Sequence, residues 1–180
     1  MLDVMDTSFL EIRHRRLRAM LVVFVALLLN TAYVVALPSG TLFYYANVVL
    51  HPVLGIGLVL ALVRLVAVSV WKADRLLAGL VAGVVVSVVT GVALLVYGAA
   101  TASRVLLQTH IVTTGVTTLL CSVYLWRHGG QLLARRGVRT ACVLTVVLFA
   151  LSPVIGALHE SAWRESHAVN NPAIVPTDMT

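Results

Sequence analysis

Apolar residues run through this chain in five long blocks, with polar residues gathered between them. The blocks cover roughly residues 19–37, 44–71, 76–99, 102–126 and 140–158. Each is close to or above the ~20 residues that a helix needs to cross the hydrocarbon core of a bilayer. Pro38-Ser39-Gly40 is a turn that separates the first block from the second. Lys72-Ala73-Asp74-Arg75 closes the second block, which is long enough to tilt or to project past the bilayer. The fourth ends at Arg127-His128-Gly129-Gly130, and a basic loop follows through Arg139. The pattern predicts an all-α membrane protein, a bundle of about five transmembrane helices forming one domain. Residues 1–18 precede the bundle, 19–158 form it, and 159–180 read as a polar, extended tail with Pro172 and Pro176.

Composition supports the same reading. Hydrophobic residues make up 60% of the chain and charged residues 11%, against roughly half and a quarter in a soluble domain. There is too little polar surface to coat a water-facing ball, so most of the exterior must face lipid. The net charge of +6 has a topological explanation, because Lys and Arg collect in cytoplasmic loops. Eleven of the 13 basic residues fall at one end of the predicted bundle, and Arg104 and Arg164 fall at the other. That split puts the N-terminus in the cytoplasm and the C-terminus outside, in a bacterial cytoplasmic membrane, and makes nucleic acid an unneeded partner. The apolar block after Arg13-His14-Arg15-Arg16-Leu17-Arg18 is long and lacks an obvious small-residue cleavage site, so it reads as a retained helix. Cys121 and Cys142 lie inside apolar blocks, and no Cys-x-x-Cys-His occurs to attach a c-type haem.

Candidate chemistry then rests on the histidines. His14 and His128 fall at the basic surface. His159 and His167 fall at or beyond the outer end of block five. His51 and His110 lie within apolar blocks, where an ionisable residue is costly and marks a functional position by default. Each is about seven or eight residues from the outer start of its helix, or roughly 10–12 Å deep at 1.5 Å per residue. Two imidazoles at one depth, on helices running the same way, can meet across a bundle core. Gly55 lies one turn beyond His51, and Gly115 lies close after His110. Gly79, Gly83, Ser87 and Gly91 form a small-residue stripe that lets a helix or a flat macrocycle approach the third helix, with Gly91 at the depth of the histidines. Arg104 could pair with carboxylates just outside. The plainer reading of each histidine is a hydrogen bond to a nearby hydroxyl or carbonyl, with Thr109, Thr113 and Thr114 as partners for His110. His159-Glu160 reads either as a helix-end polar pair or as a proton-accepting pair at a quinol site.

His51-Pro52-Val53-Leu54-Gly55-Ile56-Gly57 and Gln108-Thr109-His110-Ile111-Val112-Thr113-Thr114-Gly115 resemble the membrane-embedded b-type cytochromes, over blocks two to four. That resemblance implies one haem b held by His51 and His110, with Gly55, Gly91, Gly115 and Arg104 around it and His159 as a reserve ligand. It implies an electron-transfer subunit, not an enzyme by itself, that relays electrons between quinol and an extracytoplasmic redox subunit or cytochrome. A quinone is then the second candidate cofactor. Many members of that family carry two haems, whereas the inner half here has no buried histidine, so one haem is expected. Two rivals stand beside this reading: a haem-free structural or assembly subunit of a larger complex, and a subunit binding a chlorophyll-type pigment. A transporter is disfavoured, because the midplane is nearly all Val, Leu, Ala and Gly.

The charge split predicts a reporter result. A phosphatase that works only outside the cytoplasm should be active when fused after residue 167 and inactive when fused after residue 130; the reverse pattern overturns the orientation.

Overall fold

The computed structural model describes residues 2–66, 75–98 and 103–167. The helices are α1 (Leu2–Ala36), α2 (Leu42–Val66), α3 (Arg75–Tyr97), α4 (Arg104–His128), the single turn α5 (Gly130–Leu133) and α6 (Arg136–Ser166). No strand occurs among the described residues. All but α5 contain a segment long and apolar enough to cross a membrane, the makeup of an integral membrane protein.

The helix ends depart from the expected ones in two places. α1 starts at Leu2, so the basic run at Arg13–Arg18 is helical and continuous with the span. Its residues are mostly good helix formers, and nothing breaks the pattern before Pro38. Glu11 and Arg15 form an exposed i,i+4 ion pair at 2.7 Å, worth a few tenths of a kcal/mol. At the other end, α6 continues to Ser166, so 159–166 are helical and not part of an extended tail. Glu160 and Arg164 make the same kind of pair there. The expected tail beyond residue 167, and the turn with Trp71 and Lys72, lie outside the described residues.

Pro153 sits inside α6 and has no N–H for the Phe149 carbonyl. The hydroxyl of the buried Ser152 donates to that carbonyl at 2.8 Å. A neighbouring hydroxyl thus satisfies the group freed by the proline, as the interior of an apolar bundle requires.

The contacts define how the helices run. α1 and α2 are antiparallel: Asn30 bonds Asn47, Val23 meets Gly57, and the Arg16 guanidinium donates to the Arg64 carbonyl near the end of α2. α3 and α4 are antiparallel along the glycine stripe. A Cβ at Gly79, Gly83 or Gly91 would meet Leu120, Thr117 or His110 respectively, and Ser87 and Thr117 hydroxyls lie 3.4 Å apart. The stripe is therefore filled by α4. α6 runs parallel to α1 and crosses it where Gly156 lies against the Val35 carbonyl. With this alternation the two described ends of the chain lie at opposite ends of the bundle.

The apolar core is concentrated at one end. Leu17, Met20, Leu21 and Phe24 of α1, Leu62 and Leu65 of α2, Leu80 and Val84 of α3, and Cys121, Tyr124 and Leu125 of α4 form one buried cluster. That is the arginine-rich end. It ties the α1–α2–α6 group to the α3–α4 pair. The two groups touch little elsewhere, and α2 has only slight contact with α3. The outward faces are apolar: Val22, Val49, Val89, Leu95, Leu119 and Leu158 are each 63–68% exposed, a surface suited to lipid rather than water.

The α1–α6 crossing yields a prediction. A Cβ at Gly156 would run into backbone, which cannot give way as a side chain can, whereas one at Gly137 meets nothing. Gly156→Val should destabilise the bundle by about 1–3 kcal/mol, and Gly137→Ala should change little, as read from helix melting in detergent.

Candidate cofactor site

The end of the bundle opposite the leucine core holds most of the polar side chains that lie inside the apolar segments. On α2, His51 is half-buried, and its Nδ1 is 3.3 Å from Thr31 Oγ1 of α1. One turn before it stands Asn47. The buried Asn30 of α1 donates from Nδ2 to the Asn47 carbonyl and to Asn47 Oδ1, both at 3.0 Å. Asn47 Nδ2 in turn donates to the Phe43 carbonyl at 2.9 Å. Neighbouring residues Asn30 and Thr31 thus grip Asn47 and His51, which are one turn apart on α2. Both groups offered by Asn47 are acceptors, so the Asn30 amide nitrogen must face them. Asn30 Oδ1 is then directed elsewhere, and it has no partner among the described residues.

On α4, His110 is also half-buried, with Nδ1 3.0 Å from Thr90 Oγ1 of α3. Gly91 lies beneath the ring: a Cβ there would sit 3.2 Å from Cε1. Gly91 therefore seats the imidazole rather than lining open space. The threonines of α4 are occupied with backbone. Thr109 donates to Val105, Thr113 to Thr109, and Thr114 to His110, each through the carbonyl oxygen at 2.8–2.9 Å. The ring's partner is on the neighbouring helix instead.

Each imidazole is thus tied through Nδ1 to the helix packed beside its own. The two belong to different helix groups, His51 to α1–α2 and His110 to α3–α4. A Cβ added at Gly55, one turn from His51 on its face, would have nothing within 4 Å, and the same holds at Gly115. Arg104 is exposed at the start of α4, about 9 Å along the axis from His110. His159 is exposed on α6, which packs on α1, and the adjacent Glu160 is engaged by Arg164 at 2.7 Å. The structure sets Gly91 against the His110 ring, ties His51 to Thr31 and His110 to Thr90, and leaves His159 exposed on α6.

Thr31, Asn47 and Thr90 did not stand out in the sequence. Their only signal was a polar side chain inside an apolar block, and the chain has many. Which hydroxyl meets which ring depends on the register between helices, and that is set by packing.

No family model matches this chain. No curated protein matches it, and no solved structure does. The comparisons thus show no resemblance to b-type cytochromes, and the site is read from its own chemistry.

The donors present are two imidazoles. No group of three or more His, Cys, Asp or Glu side chains that could hold a metal occurs among the described residues. Structural and catalytic zinc sites need three or four protein ligands. Two imidazoles suffice for a metal that arrives with four equatorial ligands of its own, as in a porphyrin. Gly55, one turn from His51 on its face, leaves room beside that ring, and the contact between the helix groups is slight.

The Asn30–Asn47 bridge is open to direct test. Asn30→Ala removes two interhelix bonds and should lower bundle stability by about 0.6–1.7 kcal/mol, the range seen for polar contacts between membrane helices, measured by unfolding in mixed micelles.

Proposed function

We propose that the protein is a membrane-embedded one-electron carrier that binds a single haem b between His51 and His110. The observation that supports this reading is the matched pair of histidines: two half-buried imidazoles on separate helix groups, each anchored through Nδ1 to a threonine of a neighbouring helix. The donor set suits a macrocyclic metal and is too small for a closed protein-only site.

In this reading the five spans cross the membrane with the arginine-rich end in the cytoplasm, and the histidine level lies in the outer half of the bilayer. When bound, haem supplies one-electron exchange at its iron. The chain's residues do the rest. His51 and His110 would both ligate the metal, and ligation by two imidazoles suits electron transfer rather than oxygen chemistry. The apolar walls of α2 and α4 keep water away, and Arg104 offers a guanidinium for the propionates at the outer rim. Electrons would pass between quinol in the membrane and a redox partner on the outer side. The chain is a subunit in this scheme and performs no reaction alone.

The test is a reduced-minus-oxidised absorption spectrum of the purified chain beside His51→Ala and His110→Ala. The wild type should show a b-type band and both variants should lose it. A preparation with no Soret band after expression with haem supply supports the structural-subunit reading instead, and a chlorin spectrum the pigment reading. Loss in only one variant would turn attention to His159.

A further inference from the structure

We propose that Thr31 and Thr90 are positioning residues that hold His51 and His110 in the Nδ1–H form, so that each ring presents an unprotonated Nε2 to a shared ligand. The inference rests on the haem reading for what the ligand is, but the proton assignment stands on the chain's own geometry.

A neutral imidazole carries its proton on either nitrogen, and the partner at one nitrogen decides which. A threonine hydroxyl has one proton to give and lone pairs to receive. Thr31 Oγ1 lies 2.7 Å from the Leu27 carbonyl of its own helix and 3.3 Å from His51 Nδ1. A carbonyl can only accept, so the hydroxyl proton goes to Leu27 along the shorter contact. The oxygen is left as an acceptor, and His51 must donate from Nδ1. Thr90 repeats the arrangement on the other side. Its Oγ1 lies 2.9 Å from the Val86 carbonyl and 3.1 Å from the Ser87 carbonyl, with His110 Nδ1 at 3.0 Å. Two carbonyls compete for its one proton, so His110 Nδ1 is again the donor.

The result is the same relay built twice. A carbonyl one turn back on the helix accepts a hydrogen bond from the threonine hydroxyl, the threonine oxygen accepts one from Nδ1–H, and Nε2 keeps its lone pair. Each threonine is on the helix paired with its histidine's helix, α1 for α2 and α3 for α4. The α1–α2 register is held further by Asn30 on Asn47, and the α3–α4 register by Gly91 beneath the His110 ring. Ring rotation and proton position are thus fixed by the same contacts that pack the bundle. A metal-bound histidine that donates its other N–H is oriented and made a stronger donor by that bond. A stronger donor favours oxidised iron, so the two threonines would lower the midpoint potential of a haem held by these rings.

Two measurements test this on the full chain in micelles. The first is the nitrogen-15 spectrum of the imidazoles before haemin is added, assigned with His51→Gln and His110→Gln. Both rings should show protonated Nδ1 and unprotonated Nε2; protonated Nε2 in either ring overturns the assignment for that ring. The second is haemin titration and redox potentiometry on Thr31→Val and Thr90→Val, beside Thr31→Ser and Thr90→Ser. Each valine variant should bind haemin about 10- to 100-fold more weakly and shift the midpoint potential upward, and the serine variants should restore both. Unchanged affinity and potential in the valine variants overturn the positioning role. The two readings fail separately. Nδ1–H rings in a chain that takes up no haemin would sink the haem proposal and leave the proton assignment intact. Haem bound by rings that show protonated Nε2 beforehand would do the opposite.

Discussion

A polar ring placed among apolar helices must find a partner, because neither lipid nor hydrocarbon side chains can solvate it. In this bundle each of the two inward histidines finds that partner on the helix packed beside it. Thr31 meets His51, and Thr90 meets His110. That requirement couples chemistry to architecture: sliding α1 along α2 by one turn, or α3 along α4, would strand a ring. Hydrophobic matching alone would not set these registers, since one Leu or Val row resembles the next. The polar contacts set them, and the glycines at 57, 83 and 91 let the backbones come close enough for the contacts to form.

The bundle divides its labour along its length. At the arginine-rich end, a buried cluster of leucines with Phe24 and Tyr124 joins the helix groups. At the opposite end, the joints are polar bonds within each pair and little contact between pairs. The Arg16 contact to the Arg64 carbonyl closes the arginine-rich end, placing a cation near the negative end of the α2 dipole.

Much of this was legible in the sequence. Five apolar blocks of membrane-spanning length gave the five long helices, and counting along them put Gly91 level with His110, where the structure has the two in contact. Helix ends were less legible. α1 and α6 run past the lipid-length blocks because Arg, Glu, Ser and Ala continue a helix as readily as leucine does, and apolarity says only where lipid begins. The stripe at 79, 83, 87 and 91 left open what it would receive, and α4 fills it. The His110 partner was sought among threonines of the same helix, but in an α-helix such hydroxyls bond readily to the carbonyl one turn back. The ring had to look sideways, to a residue no spacing rule would select.

The account stands or falls on two imidazoles meeting one iron. Electron paramagnetic resonance of the oxidised, haem-loaded chain reads that state directly. The account predicts a low-spin ferric signal of the bis-imidazole type as the dominant species. A dominant high-spin ferric signal, reporting an iron with one protein ligand or none, would contradict it.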